Sequence, residues 1–132
     1  MKNESLKNST IFPLGEKVES DHFIGDAYLQ MVFTDEAPLN SAIGNVTFAP
    51  KSRNSWHSHK VGQVLLVTGG EGWYQKEGEQ AQLLKTGDVV NIPPHVKHWH
   101  GATKDSWFVH LAMTPGETEW LEPVDEEWYN QL

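Results

Sequence analysis

Two short histidine-rich stretches constrain this chain more than anything else in it: Trp56-His57-Ser58-His59-Lys60-Val61-Gly62-Gln63 and Lys97-His98-Trp99-His100-Gly101. Each carries a His-x-His core. In an extended strand, residues two apart share a face and the residue between them points the other way. His57 and His59 are therefore predicted on one face with Trp56 and Ser58 on the other, and His98 and His100 on one face with Trp99 opposite. Phe108, His110 and Ala112 align in the same manner. With seven histidines in 132 residues, about 0.4 His-x-His pairs arise by chance, so one pair alone carries little weight. Taken singly, His57, His59 or His98 reads equally well as a core or surface residue satisfied by hydrogen bonds. Two pairs on strand-like segments, with Gln63 four residues beyond the first, point to a shared task. Imidazoles inside a small β-protein are costly unless something satisfies them, and a divalent metal would do so.

The rest of the chain suits a barrel around such a site. Its length fits one domain, and the eleven glycines, seven prolines and short apolar runs favour strands and turns. Residues 1–10 are polar and read as a frayed N-terminus, with 11–132 as the folded domain. Ile11-Phe12 is a candidate first edge strand. Tyr28 to Phe33, Ala42 to Phe48, and Val64 to Val67 (stopping at Gly69-Gly70) are further strands. A hairpin around Glu77-Gly78-Glu79, then Val89 to Ile92, His98 to Ala102 and Trp107 to Met113 complete the sheet, which Pro115-Gly116 is expected to close. Asp125 is placed to cap a short helix at Glu126 to Tyr129. Eight or more strands with regular turn signals make an all-β sandwich or small barrel.

Composition narrows the partners. A formal charge of −8 with no basic cluster argues against nucleic acid and anionic membrane. There is no cysteine, so a metal must be held by nitrogen and oxygen donors. The polar N-terminus lacks the apolar run of a signal peptide, and no apolar run reaches bilayer length, so a soluble cytoplasmic protein is expected. Exposed strand edges and surface tryptophans favour a homodimer, with Tyr28 to Phe33 pairing across a two-fold axis.

The spacing resembles the cupin superfamily. Its first motif, His-x-His, three residues, an acidic ligand, six residues and Gly, falls on His57, His59, Gln63 and Gly70. Its second, Gly, five residues, Pro-x-Gly, two residues and His, falls on Gly87, Pro93, position 95 and His98. The chain departs from the pattern at Gln63 for Glu, His95 for Gly, Lys51 for the glycine before the first motif, and Ala102 for the closing Asn. The resemblance implies a single-domain cupin β-barrel, a double-stranded β-helix or jelly roll. It also implies one divalent metal on His57, His59, Gln63 and His98, with manganese first and iron, nickel, zinc or copper as alternatives. Trp-His-x-His-x-x-Gly-Gln, Lys-His-Trp-His-Gly-Ala and the later His-Leu-Ala are similar to the small cupins with hydroxynitrile lyase activity, and to cupins grouped with carboxymuconolactone decarboxylases. In that group the equivalent of His110 acts as a base.

Chemically, a neutral amide in place of a carboxylate leaves the metal its full charge and makes it a stronger Lewis acid. That suits a lyase for a small carbonyl or cyanohydrin-type substrate, with His110 as base and His100 or Lys60 stabilising the departing cyanide. Two other readings are an Fe(II)-dependent oxygen-using cupin that cleaves its substrate, and a non-enzymatic metal- or small-molecule-binding barrel. The remaining histidines are expected to be plainer: His95 exposed on a loop, His22 on the surface. Lys60 and Arg53 are read as pocket-rim or, more simply, solvated loop residues, and the acidic segment Glu117 to Glu127 as a solvated face.

Overall fold

A computed structural model describes residues 11–132; the segment read as a frayed N-terminus, residues 1–10, lies outside the described residues. Period-two patterning and its turn residues produce twelve strands among the described residues. They are β1 (Glu16–Lys17), β2 (Phe23–Ile24), β3 (Ala27–Phe33), β4 (Ala42–Phe48), β5 (Arg53–Asn54) and β6 (His57–His59), then β7 (Gln63–Lys76), β8 (Gln82–Lys85), β9 (Val89–Ile92), β10 (His98–Ala102), β11 (Phe108–Thr114) and β12 (Thr118–Trp120). Helix α1 (Glu126–Asn130) follows. The main path of hydrogen-bonded neighbours is β1-β3-β4-β11-β7-β10-β5-β2, with β8 and β9 added to β7, and β6 lying between β10 and β12. Every pairing is antiparallel, and the sheet curls into the expected all-β barrel.

β7 makes the curl. Its first half pairs with β9 and β11, and its second half, from Glu71 on, with β8 and β10. The expectation that this strand stops at Gly69-Gly70 is therefore corrected: the glycines are where it bends from one sheet to the other. Gly70 has φ +69°, and a Cβ there would run into the Trp107 carbonyl, so only glycine fits. β11 carries the matching register shift between Val109 and His110. Two other boundaries differ from expectation. Ile11-Phe12 forms no strand, the first being Glu16–Lys17. Pro115-Gly116 does not close the sheet, because β12 follows and pairs with β6.

The interior divides into an apolar part and a polar part. Phe48, Leu65, Ile92 and Phe108, none more than 1% exposed, anchor the apolar part. The polar part is the histidine site. On the outside of the β10 sheet lies a second cluster, in which Trp99, Val124 and Tyr129 are buried against Trp56, Trp73 and Trp128. This is where alternation sends Trp56 and Trp99. Asp125 caps α1 by accepting the Trp128 N–H at 3.0 Å. The indole N–H groups of Trp99 and Trp128 both donate to Gln75 Oε1, at 2.7 and 3.1 Å. Tyr129 donates its hydroxyl to the Ala102 carbonyl at 2.6 Å.

Arg53 is no loop or rim residue. It sits in β5, 4% exposed, on the outward face with its guanidinium 4.2 Å from the Tyr129 ring centre, because its neighbour Asn54 takes the inward position. Among the described residues no helix is long and apolar enough to cross a membrane.

Candidate metal centre

β6 and β10 pair with His98 opposite His57, so the inward faces of the two strands bring four imidazoles together. Ring centres lie 4.2 Å apart for His57 and His98, 4.9 Å for His57 and His59, and 5.2 Å for His59 and His98. The donor nitrogens of His57, His98 and His100 lie within 4.8 Å of one another. Gln63, the first residue of β7, brings its Oε1 to 3.0 Å from His59 Nε2. Thus the four residues expected to hold a metal converge, and His100 adds a fifth donor to the same group.

The outer nitrogens explain how the rings are aimed. His57 Nδ1–H donates to the Ser55 carbonyl at 2.7 Å, and His98 Nδ1–H to the Val96 carbonyl at 2.8 Å. A carbonyl only accepts, so both rings present a lone pair at Nε2. His98 Nε2 is buried with no partner among the described residues. A buried imidazole lone pair beside further nitrogen and oxygen donors fits a divalent metal, which would satisfy it. His59 Nδ1 lies 2.9 Å from Thr118 Oγ1, and Gln63 Nε2 donates to Thr114 Oγ1 at 2.8 Å.

His100 also makes contacts on the side away from His57 and His98. Its backbone N–H donates to Asn54 Oδ1 at 3.0 Å, Asn54 Nδ2 lies 3.3 Å from its ring Nδ1, and that same Nδ1 is 3.2 Å from His110 Nε2. His110 is fully buried on β11, and its Nδ1 has no partner among the described residues.

Burial sets the electrostatics. It pushes His98 and His110 down to about 4, and holds His57, His59 and His100 below the ordinary histidine value. Neighbouring imidazoles push His57 and His100 further in the same direction. All five rings are consequently neutral at pH 7, which is the form that ligates a metal or accepts a proton.

A cavity of about 190 Å³ opens beside these rings. Its lining combines His57, His59, Gln63, His100 and His110 with apolar residues, Phe23, Leu29, Met31, Val46 and Trp120 among them. No lysine, arginine, aspartate or glutamate lines it among the described residues. Lys60, expected near a departing anion, is corrected here. It is exposed and lies in a separate surface depression with His95 and Glu117, because alternation past His59 turns it outward. His95 is exposed as expected, and adopts φ +65° at the position where the motif has glycine. His22 is not a plain surface residue. Its ring stacks on Trp120 with centres 4.7 Å apart and planes within 4°, and Trp120 in turn lies 4.7 Å from His57.

Sequence reasoning missed Asn54, Thr114, Thr118 and Trp120. For Thr118 and Trp120 a signal existed: they alternate with Glu117 and Glu119, the pattern of a half-buried strand, inside a segment read as a solvated acidic face. Asn54 gave none, since nothing local relates it to His100.

Comparison with known proteins fits this architecture. A family model described as a cupin domain matches residues 44–118. An (R)-mandelonitrile lyase of Granulicella tundricola is 38% identical over 119 residues, covering 87% of this chain and 91% of that protein. An acireductone dioxygenase of Bacillus pumilus is 23% identical over 97 residues, covering 70% of this chain and 55% of that one. The crystal structure of a cupin-like protein from Thermotoga maritima superposes with a TM-score of 0.89 at 45% identity, covering 93% of this chain and 96% of that one. Paired His-x-His strands, the bent β7 between two sheets and the family match over most of the barrel agree: this chain belongs to the cupin family.

Proposed function

We propose that this protein is a metal-dependent lyase that cleaves and forms cyanohydrins, joining or releasing a small carbonyl compound and HCN. The observation that carries the reading is the cavity lining: histidines and Gln63 interspersed with apolar residues, and no charged side chain among the described residues. Such a lining supplies no charged side chain to pair with a charged substrate, and its apolar residues suit a small molecule with an apolar part. The similarity to an (R)-mandelonitrile lyase supports the same class.

In this reading His57, His59, Gln63 and His98 hold the ion, with manganese the first candidate, and His100 lies beside them as the partner of His110. The bound ion would supply Lewis-acid polarisation of the substrate oxygen. With three neutral imidazoles and an amide around it, no protein charge offsets that effect. His110, kept neutral by burial, takes the cyanohydrin proton. The carbon–carbon bond to the nitrile breaks, its electron pair leaves with cyanide, and the carbonyl forms. The 3.2 Å contact with His100 lets the proton pass on to the departing cyanide, which leaves as HCN with both rings neutral again. Lys60 plays no part.

The test is benzaldehyde release from mandelonitrile by manganese-loaded protein, followed by absorbance, with oxygen uptake by the Fe(II)-loaded protein measured in parallel. Release well above the uncatalysed rate and no oxygen uptake are expected. No release from fully loaded protein would overturn the lyase reading, and uptake of oxygen would favour the oxygen-using alternative. We also propose a homodimer. β1 pairs with Tyr28 and Leu29 of β3 and Val18 N–H donates to the Ala27 carbonyl at 2.8 Å, whereas Met31 and Val32 further along the edge are each 41% exposed. Light scattering should give a dimer mass; a monomer at micromolar concentration would refute it.

A further inference from the structure

The four donors of the proposed site are aimed by two different means. His57 and His98 are each held by the carbonyl two residues earlier, at 2.7 and 2.8 Å. A carbonyl cannot donate, so each ring has one permitted tautomer, with its lone pair at Nε2. His59 and Gln63 are held by hydroxyls instead, Thr118 Oγ1 at 2.9 Å from His59 Nδ1 and Thr114 Oγ1 at 2.8 Å from Gln63 Nε2. A hydroxyl can donate or accept.

That freedom matters because His59 Nε2 lies 3.0 Å from Gln63 Oε1. The amide oxygen only accepts, so this contact is a hydrogen bond from Nε2–H, and His59 Nδ1 then accepts from the Thr118 hydroxyl. Metal ligation by Nε2 requires the other tautomer, with Nδ1–H donating to Thr118. Only a hydroxyl at position 118 serves both arrangements: a carbonyl would serve one, and a methyl group neither. Thr114 meanwhile engages the amide nitrogen of Gln63 and so turns Oε1 towards His59.

Both threonines come from one element. They flank Pro115-Gly116-Glu117, where Gly116 takes φ +77° and the Lys60 N–H donates to the Glu117 carbonyl at 3.0 Å. β12 then pairs with β6 so that Thr118 lies opposite His59. We propose that the Thr114–Thr118 turn is the positioning element of the metal site: Thr118 lets His59 exchange its hydrogen bond to Gln63 for a metal, and Thr114 keeps the Gln63 oxygen aimed at the same place. This rests on the metal-site reading above.

Affinity for Mn²⁺, measured on the full chain by competition with a chelator, tests it. Thr118→Val removes the hydroxyl at nearly constant volume and is expected to weaken binding roughly 10–100-fold, the usual effect of losing an outer partner of a ligand. Thr118→Ser should bind within about threefold of the parent, since the hydroxyl that positions the ring is retained. Thr114→Val should weaken binding less, because it disturbs one neutral ligand. Undiminished binding by Thr118→Val, or equal loss in Thr118→Ser, would overturn the proposal. A second readout does not depend on variants that fold: ¹⁵N-resolved imidazole spectra of the parent protein before and after Zn²⁺. His59 should move from Nε2–H to Nδ1–H on addition while His57 and His98 stay Nδ1–H throughout; an unchanged His59 tautomer would overturn the proposal. His98→Ala separates the two levels of inference. If it binds metal as well as the parent, the site itself is wrong; if it does not while Thr118→Val binds normally, only the role of the turn fails.

Discussion

The two faces of β6 and β10 differ by one residue of register and by everything else. Inward, His57, His59 and His100 line a cavity, and His98 is buried beside them with an unpartnered lone pair. Outward, Trp99 is completely buried under α1 in a cluster with Val124 and Tyr129. The inward face spends burial on neutral polar rings, which gain little from leaving water. The outward face gains apolar area and two saturated indole N–H groups. The contrast teaches that the proposed metal site and the packing of the outer cluster occupy alternate residues of the same strands, so substitutions on the two faces should separate cleanly.

The largest effect should come from His98→Ala, which removes the unsatisfied donor at the centre of the inward face. Elemental analysis should find no stoichiometric metal, a loss beyond the roughly 10–100-fold that outer partners are worth, with a cooperative melt retained. Metal content equal to the parent would erase the functional side of the contrast. His110→Ala should lower mandelonitrile turnover by about 10²–10⁴ with metal content unchanged, the size expected for loss of a general base. Normal turnover would remove His110 from the mechanism.

Trp99→Ala tests the outward face. Denaturant titration should show about 3–5 kcal/mol of lost stability, while the folded fraction still loads metal. Loss of metal affinity at full folding would show the faces to be coupled.

Acid should act through the inward face. Burial holds His98 and His110 at about 4 in the folded protein, below the unfolded value of roughly 6.5. Between those limits the unfolded chain binds more protons, so stability is full above about 6.5 and declines as the pH falls towards 4. Melting curves across that range should show the decline, with metal released over the same interval; His110→Ala should flatten it. The smallest effect belongs to Tyr129→Phe, which deletes the hydroxyl bonded to Ala102 at 2.6 Å. It should cost about 1 kcal/mol and leave metal binding alone.

Alternation made much of this legible in the chain. It placed His57, His59 and His98 inward, Trp56 and Trp99 outward, and His110 among them, and the turn chemistry at Gly78, Gly87 and Asp125 located elements to within a residue or two. The failures share a cause. Charge alone suggests Lys60 as a neighbour of the substrate, although the same alternation turns it outward. Gly69-Gly70 reads as a stop, because a glycine pair looks alike whether a strand ends or bends. β12 was hidden by its glutamates, which obscured the inward Thr118 and Trp120.

The sequence by itself determined which residues could be ligands, because spacing along one strand fixes which side chains share a face. It also determined that those ligands are neutral, since no cysteine is present and glutamine stands where an acid is usual. Only the tertiary structure decided how they are aimed. Carbonyls two residues away hold His57 and His98, so half the site is locally specified. The hydroxyls that hold His59 and Gln63 come from 59 and 51 residues further along the chain, and contacts between such distant segments exist only once the sheet has curled.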